Sequence, residues 1–329
     1  MRVVVTGGAG FIGAQVTAAL AAAPDIDEVV VLDDLSSGDL ANLDGLDVPI
    51  VLGSVLDDRV LARAMRRADA VVHLAAIPSV PRSLLDPIAS HQVIATGTLH
   101  VLEAARHAGD PYVVVASSSS VYGASLELPK RETMRAAPLS PYAAAKLAAE
   151  SYALAYASCF DLETLALRFF NVFGPLQSTT HAYAAVVPAF LEAALAGRPL
   201  MVHGDGRQTR DFTYVGSVVA VICDAVRRRV TSELPVNVAF GTRTSLLELI
   251  AELEVVLGHP LARQHVDSRV GDVPDSQADP TRLRELFPGV APVAIREGLR
   301  VTADWVASQA SNAGLSIRAA AGRPMRAAD

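Results

Sequence analysis

The stretch Ser140-Pro141-Tyr142-Ala143-Ala144-Ala145-Lys146 sets a phenol and an ammonium four residues apart behind a helix start signal. Serine suits the N-cap and proline the first helical position, where its missing N–H costs nothing. A helix beginning there carries Tyr142 and Lys146 on one face, one turn apart. An ammonium beside a phenol favours the phenolate and so makes Tyr142 a usable general base. By itself such a pair is an ordinary surface couple. Its setting gives it weight.

Two other stretches supply that setting. Thr6-Gly7-Gly8-Ala9-Gly10-Phe11-Ile12-Gly13 follows one apolar run and opens a helical one. Glycine there permits a tight turn, lets backbone amides approach a pyrophosphate, and lets helix and strand pack closely with the helix N-terminus facing the anion. Asp33 ends the next apolar run at the ~20-residue offset of a carboxylate that receives hydrogen bonds from an adenosine ribose. A carboxylate repels a 2′-phosphate, so the expected cofactor is NAD rather than NADP. A positive nicotinamide ring next to Tyr142 would add to Lys146 in lowering the phenol's pKa. The run Tyr112 to Ala116 then ends in Ser117-Ser118-Ser119-Ser120, four hydroxyls with no acid among them.

The elements that must position these groups are readable in outline. Arg2 to Thr6, Glu28 to Leu32, Pro49 to Leu52, Ala70 to Leu74, Tyr112 to Ala116 and Leu165 to Phe169 are short runs rich in Val, Leu and Ile, the composition of strands. Between most of them lie helical segments: Ala14 to Ala22, Arg59 to Met65, Ile88 to Ala108 and Ala143 to Ser158. Strands alternating with helices predict an α/β fold with a parallel, doubly wound Rossmann sheet. After Phe170 Pro and Gly punctuate the chain more often, and Val236 to Val238 reads as one more strand returning to the sheet. The expectation is a dinucleotide-binding domain over 1–170, a smaller C-terminal substrate-binding lobe over 171–310, and a disordered tail over 311–329, where no apolar period is seen.

Composition narrows the rest. Of 329 residues 51% are hydrophobic, 19% charged and 5% aromatic, so the core is built from Ala, Val and Leu. A net charge of −7 with no long Lys/Arg stripe disfavours nucleic-acid and anionic-membrane partners. Arg2, the apolar run to Leu20 and Ala21 to Ala23 imitate a secretory signal, but the glycines inside the run have the better explanation above. No stretch of ~20 apolar residues offers a membrane span. Cys159 and Cys223 stand at no metal-ligand spacing and are read as reduced core residues of a cytoplasmic protein. His73 at a strand end is read as structural, and His203 and His265 have no partner at metal-ligand spacing, so no metal is expected.

The ordered blocks TGGAGFIG, LDDLSSG, HLAAIPSVPRSLLDP, GTLHVLEAAR, SSSSVYG, PLSPYAAAK, LRFFNVFGP, AYAAVVPAF, GDGRQTRDFTYV and RVGDVPDSQAD, running from Met1 to about Val306, resemble the extended short-chain dehydrogenases/reductases of the nucleotide-sugar epimerase and dehydratase group. The likeness is strongest to bacterial UDP-N-acetylglucosamine and UDP-glucose 4-epimerases. It implies that Gly7, Gly10, Phe11 and Ile12 hold the pyrophosphate and Asp33 the ribose. Ser37, Gly38, Val55, Leu74, Ala75, Ala76 and Phe169 would line the rest of the cofactor groove. Ser118 would be the catalytic hydroxyl with Ser119 beside it, and Tyr142 and Lys146 the base and its support. Arg82, Val187, Asn171, Arg210, Arg269, Asp272 and Ser276 would contact the UDP-sugar. Two positions depart from the pattern: Ser54 replaces an aspartate usual at the adenine, and Ile94 an asparagine that often approaches the cofactor.

The resemblance also gives the four serines a meaning. Dehydratases and decarboxylases of this group resemble TDEVYG or TSEVYG at that strand end, because elimination needs an acid and a base in place. Aligned on Val121-Tyr122-Gly123, this chain offers Ser119 and Ser120 instead. A 4-epimerase needs less: Tyr142 takes the 4-hydroxyl proton, a hydride passes to tightly held NAD, and a transient 4-keto sugar turns over before the hydride returns. Ser276 resembles a position where a small residue leaves room for an N-acetyl group, which implies use of both UDP-glucose and UDP-GlcNAc. UDP-glucuronate is the rival substrate. Gln177 is followed by Ser178 where those enzymes tend to carry arginine, although Arg82 is available to meet a carboxylate; Thr180 and His181 share that loop. The other readings are a lyase of the same fold and a non-catalytic NAD-binding regulator. Resemblance further implies a homodimer through the helix AAAKLAAESYALAYA.

Overall fold

Seven strands form the central sheet: β1 (Arg2–Thr6), β2 (Glu28–Asp33), β3 (Ile50–Leu52), β4 (Ala70–His73), β5 (Tyr112–Ser118), β6 (Thr164–Phe169) and β7 (Val236–Val238). Their order is β7-β6-β5-β4-β1-β2-β3, and every pair is parallel. The structure is a computed structural model and describes residues 1–178, 185–267 and 275–321. Valine runs suit such a sheet because both faces are covered. Along β1, Val4 joins the core of one face with Leu61, Met65 and Leu102, while Val3 and Val5 join that of the other with Val16, Leu20 and Ile222.

The helices that supply those faces are α1 (Phe11–Ala21), α2 (Asp58–Ala64), α3 (Gly97–His107), α4 (Pro141–Phe160) and, from beyond the lobe boundary, α6 (Val215–Arg228). The start signal of α4 operates as its residues suggest: Ser140 Oγ accepts from the Ala143 amide at 3.2 Å and proline occupies the first turn. A separate core gathers α5 (Val186–Leu195), α7 (Leu246–Leu257) and α8 (Ile295–Ala321) around Phe190, Leu191, Leu249 and Leu299. No helix among the described residues is long and apolar enough to cross a membrane.

Three expectations need correction. The helix read over Ile88 to Ala108 is broken: Pro87–His91 gives way to a π turn over Gln92–Thr96 before α3 begins. Thr98 Oγ1 donates to the Ile94 carbonyl at 2.6 Å, and Gly97 passes so near Val55 that a Cβ would lie 2.8 Å from its Cγ2. Side-chain back-bonding of this kind bends and widens a turn without altering composition. The stretch from Ser311, expected as an irregular tail, is helical to Ala321, in keeping with its Ala, Leu, Ile and Arg content; residues 322–329 lie outside the described residues. Cys159, read as a core residue, is exposed near the end of α4, whereas Cys223 is half-buried with burial pushing its thiol up to about 11.

Candidate active site

In an open parallel sheet ligands collect at the carboxyl ends of the strands, where the crossover direction reverses. Here that edge carries the glycine turn after β1, Asp33 at the end of β2, Leu74 to Ala76 after β4, Ser117 and Ser118 closing β5, and Phe169 closing β6.

The turn is built for close approach. Gly7 has φ +70°, its amide donates to the Leu32 carbonyl at 2.8 Å, and a Cβ there would sit 2.7 Å from the Ala75 nitrogen. A Cβ on Gly13 would sit 2.0 Å from the Gly7 carbonyl oxygen. Gly10 caps α1 without a side-chain bond, which leaves the first-turn amides, Phe11 and Ile12 among them, to donate to an anion. Asp33, buried, accepts from the Ala9 amide through Oδ2 and the Leu35 amide through Oδ1, each at 2.9 Å. A carboxylate oxygen has a second acceptor direction, so both remain able to take a ribose hydroxyl. These features fit a dinucleotide. Val55 is buried, Leu74, Ala75, Ala76, Gly38 and Phe169 are half-buried, and Ser37 is exposed. The Ser54 hydroxyl accepts from the Leu56 amide at 3.3 Å, and Ile94 is buried in the π turn.

Gly38 gives a test of this cradle. A Cβ at Gly38 would meet the Ala9 carbonyl carbon at 2.9 Å and its oxygen at 3.0 Å, both backbone atoms of the turn. Overpacking of this kind costs about 1–3 kcal/mol. Gly38→Ala is expected to weaken NAD retention about tenfold, the equivalent of about 1.4 kcal/mol, read as the NAD released on heating the purified protein.

Along α4 the catalytic pair meets the end of β5. Lys146 is buried and its ammonium donates to the Ala116 carbonyl at 2.8 Å; burial brings its pKa down to about 8. The Ser118 hydroxyl interacts with the Tyr142 phenol and pulls its pKa down, but burial outweighs this and the net direction is upward. The expected net direction for Tyr142 is therefore corrected, because desolvation outweighs the Ser118 interaction. Ser118 also accepts from the Ser120 amide at 3.2 Å and hydroxyl at 2.9 Å, which closes the 3-10 turn Ser119–Tyr122. Ser119 opens that turn, half-buried. Ser117 is buried and donates to Glu150 Oε2 at 2.7 Å.

His73 closes a second polar chain. Its Nδ1 lies 2.7 Å from Thr6 Oγ1 and its Nε2 3.0 Å from Thr98 Oγ1. Thr98 donates its proton to the Ile94 carbonyl, so Nε2 must be the donor to Thr98 and Nδ1 the acceptor from Thr6. Thr6 Oγ1 in turn accepts from the Ala75 amide at 3.4 Å. The chain joins β1, β4 and the π turn under the cofactor groove with the imidazole neutral.

On the lobe side, Arg210 Nη1 donates to the Thr209 carbonyl at 2.8 Å, and the Ser276 amide donates to the same oxygen at 3.1 Å. Arg210 and Ser276, both half-buried, are thus brought together. Asn171, at φ +35°, donates from Nδ2 to the Asp211 carbonyl at 3.4 Å, and Val187 is buried at the start of α5. Arg82 stands on the short helix Val80–Leu85, its amide donating to Ser79 Oγ at 3.4 Å. Arg269, Asp272, Thr180 and His181 lie outside the described residues.

Residues 3–239 match the model of the NAD dependent epimerase/dehydratase family. The chain belongs to this family. It is 39% identical over 311 residues to the UDP-glucose 4-epimerase of Mycolicibacterium smegmatis, covering 93% of this chain and 98% of that one. Among solved structures it is similar to the UDP-N-acetylglucosamine 4-epimerase of Methanobrevibacter ruminantium M1 in complex with UDP-N-acetylmuramic acid (TM-score 0.88, 34% identity, 94% and 98% of the two chains). It is similar also to the UDP-glucuronic acid 4-epimerase of Bacillus cereus in complex with UDP-glucuronic acid and NAD (TM-score 0.85, 27% identity, 94% and 100%). The glycine turn, the Tyr/Lys helix and the serine strand end of this family member therefore stand in a NAD-dependent framework.

Sequence reasoning passed over Glu150, Arg168, Thr6 and Thr98. Glu150 had a signal: it stands four residues past Lys146, as Lys146 stands four past Tyr142, and so continues the same helical face.

Proposed function

We propose that the protein is a UDP-sugar 4-epimerase, accepting UDP-glucose/UDP-galactose and UDP-GlcNAc/UDP-GalNAc. The observation that carries the reading is the character of the β5 end. Ser118 is set on the Tyr142 phenol, and no strand-end residue from Ser117 to Ser120 is an acid. The carboxylate that does meet this end, Glu150, already accepts from Ser117 Oγ, Arg168 Nε and Arg168 Nη2, at 2.7, 2.8 and 2.6 Å. So engaged, it is a poor acid for eliminating water or closing a decarboxylation. In this reading Tyr142 removes and returns the proton of the 4-hydroxyl, and Ser118 holds that oxygen meanwhile. Bound NAD+ supplies the reversible two-electron acceptor and a positive ring that opposes the effect of burial on the phenol. Gly7, Gly10, Phe11, Ile12 and Asp33 would hold it.

On the substrate side the proposal takes Arg210, Asn171, Arg269 and Asp272 for the nucleotide and Ser276 for the sugar, where its small side chain leaves room for an N-acetyl group. Arg82 supports the second reading, a UDP-glucuronate 4-epimerase. Homodimerisation is part of the proposal, supported by Tyr152 and Phe160 on α4, which are 39% and 45% exposed for all their apolar surface. Free Cys159 and Cys223 suit a reducing, cytoplasmic setting.

Incubation of the purified protein with UDP-glucose, UDP-GlcNAc and UDP-glucuronate, followed by NMR of the anomeric protons, tests the reading. The expected products are the 4-epimers of the first two at unchanged mass. Turnover of UDP-glucuronate alone would favour the second reading, and loss of water or carbon dioxide would overturn both.

A further inference from the structure

One ion pair is buried beneath the catalytic helix. Glu150 and Arg168 are each 4% exposed at the side chain and meet in a two-pronged fork, Nε to Oε2 at 2.8 Å and Nη2 to Oε1 at 2.6 Å. The third donor on this carboxylate is Ser117, the residue immediately before the Ser118 that acts on Tyr142. Arg168 belongs to β6, in register with Ser117 of β5, and its guanidinium lies 4.6 Å over the Tyr122 ring, part of the turn that follows Ser118. Tyr122 continues outward by donating to Asn237 Oδ1 at 2.7 Å on β7.

Tyr142, Lys146 and Glu150 are spaced by four along α4, so the helix is tied to the end of β5 once per turn. Tyr142 meets Ser118, Lys146 meets the Ala116 carbonyl, and Glu150 meets Ser117 together with Arg168. The first two ties are single and involve groups the reaction itself uses. Only the third is forked and charge-assisted, a geometry that resists both sliding and rotation of the helix. A buried pair is weak as a source of stability compared with apolar side chains of similar volume. Its value here lies in position.

We propose that Glu150 and Arg168, with Ser117, are positioning residues that fix the height and rotation of α4 against β5 and thereby hold the Tyr142 phenol on the Ser118 hydroxyl. The inference rests on Tyr142 and Ser118 being the reacting pair of the proposed epimerase. It assigns the group no contact with substrate or cofactor.

Because Glu150 left alone would be an unpaired buried charge that destabilises the fold, the test uses three forms of the NAD-loaded full chain. These are the double variant Glu150→Leu/Arg168→Met, which removes both charges at once, the conservative Arg168→Lys, and Ser117→Ala. The double variant is expected to keep a thermal midpoint no lower than that of the unmodified protein while kcat falls about tenfold with KM within twofold. The acid limb of its kcat–pH profile should move to higher pH, since losing Ser118 removes the interaction that lowers the phenol's pKa. Ser117→Ala should move the limb in the same direction by less, and Arg168→Lys, which keeps the charge but loses the fork, should fall between. A substrate-free reading accompanies these: 19F NMR of protein made with 3-fluorotyrosine, in which the Tyr142 resonance is identified by its absence from Tyr142→Phe. Its titration midpoint should rise in the double variant. A folded double variant with unchanged kcat, limb and 19F midpoint would overturn the proposal. If the unmodified protein epimerises nothing, the functional reading fails, and the 19F midpoint alone then decides whether the pair sets the phenol.

Discussion

Lys146→Met is expected to lower turnover by about 10²- to 10⁴-fold, the range lost when a proton-transfer system is disabled, and at the same time to make the protein more stable. The two effects have one origin. Lys146 is 5% exposed, with its pKa brought from 10.5 down to about 8 by burial. Its folded-state pKa lies below the unfolded one, so near pH 7 both states are charged and the folded state alone bears the desolvation. That cost is fully relieved only above pH 10.5. A shift of this size corresponds to about 3 kcal/mol as an upper figure, against which stands the bond to Ala116, worth about 1 kcal/mol net. Methionine fills a similar volume without a charge, so a net gain of about 1–2 kcal/mol at pH 7 is expected. Urea unfolding at pH 7 and pH 10 checks the sign. The unmodified protein should gain stability relative to the variant as pH rises from 8 to 10.5, and the variant's advantage should shrink. A variant less stable at pH 7 would mean that the ammonium's partners outweigh its burial. Function held against stability in this way is common where a charged group is kept dry for chemistry.

The parts of the molecule that were legible in sequence are those where one local cause dominates. The strands read clearly because a parallel sheet covered on both faces demands unbroken Val and Leu, as at Val3 to Val5 and Val113 to Val115. Gly7 and Gly13 read clearly because nothing with a Cβ fits beside Ala75 or the Gly7 carbonyl. Ser140 and Pro141 announced α4 through cap chemistry alone. What stayed hidden depends on partners distant in sequence. Glu150 and Arg168 are ordinary charged residues until β6 and α4 are packed, and the neutrality of His73 follows from Thr6 and Thr98, which lie on other elements. The direction of the Tyr142 pKa went wrong for the same reason: the Lys146 neighbour was visible, but the amount of burial was not. In the lobe the signal was present and overlooked. Ser245 and Glu248 form a reciprocal capping box that starts α7.

His73 carries the other large effect, and it is one of acid stability. Burial and the nearby Lys146 charge hold its pKa down to about 3 from an ordinary 6.5. The imidazole is therefore neutral when folded, and unfolding takes up a proton throughout the window between those values. Stability from this source is complete above pH 6.5 and is lost as pH falls toward 3, at a slope approaching 1.4 kcal/mol per pH unit, about 3 kcal/mol between pH 6.5 and pH 4. His73→Gln keeps a neutral donor and acceptor but cannot titrate. The difference in unfolding free energy between pH 7 and pH 4 should shrink by about 3 kcal/mol in the variant, whatever its absolute stability, because the carboxylates common to both forms cancel in the comparison. Denaturant curves at the two pH values measure it, and equal differences in both forms would refute the buried neutral imidazole. Protonation would force Nδ1 to donate where it now accepts from Thr6, disturbing the Thr6 oxygen that receives the Ala75 amide. The cofactor groove should therefore loosen as pH approaches 3, where the folded imidazole takes its proton, with NAD lost from the unmodified protein at a higher pH than from His73→Gln. Lys146→Met removes one of the two causes that depress the imidazole, so in that variant the folded-state protonation, and with it the loosening of the groove, should move upward in pH while less stability is lost between pH 7 and pH 4.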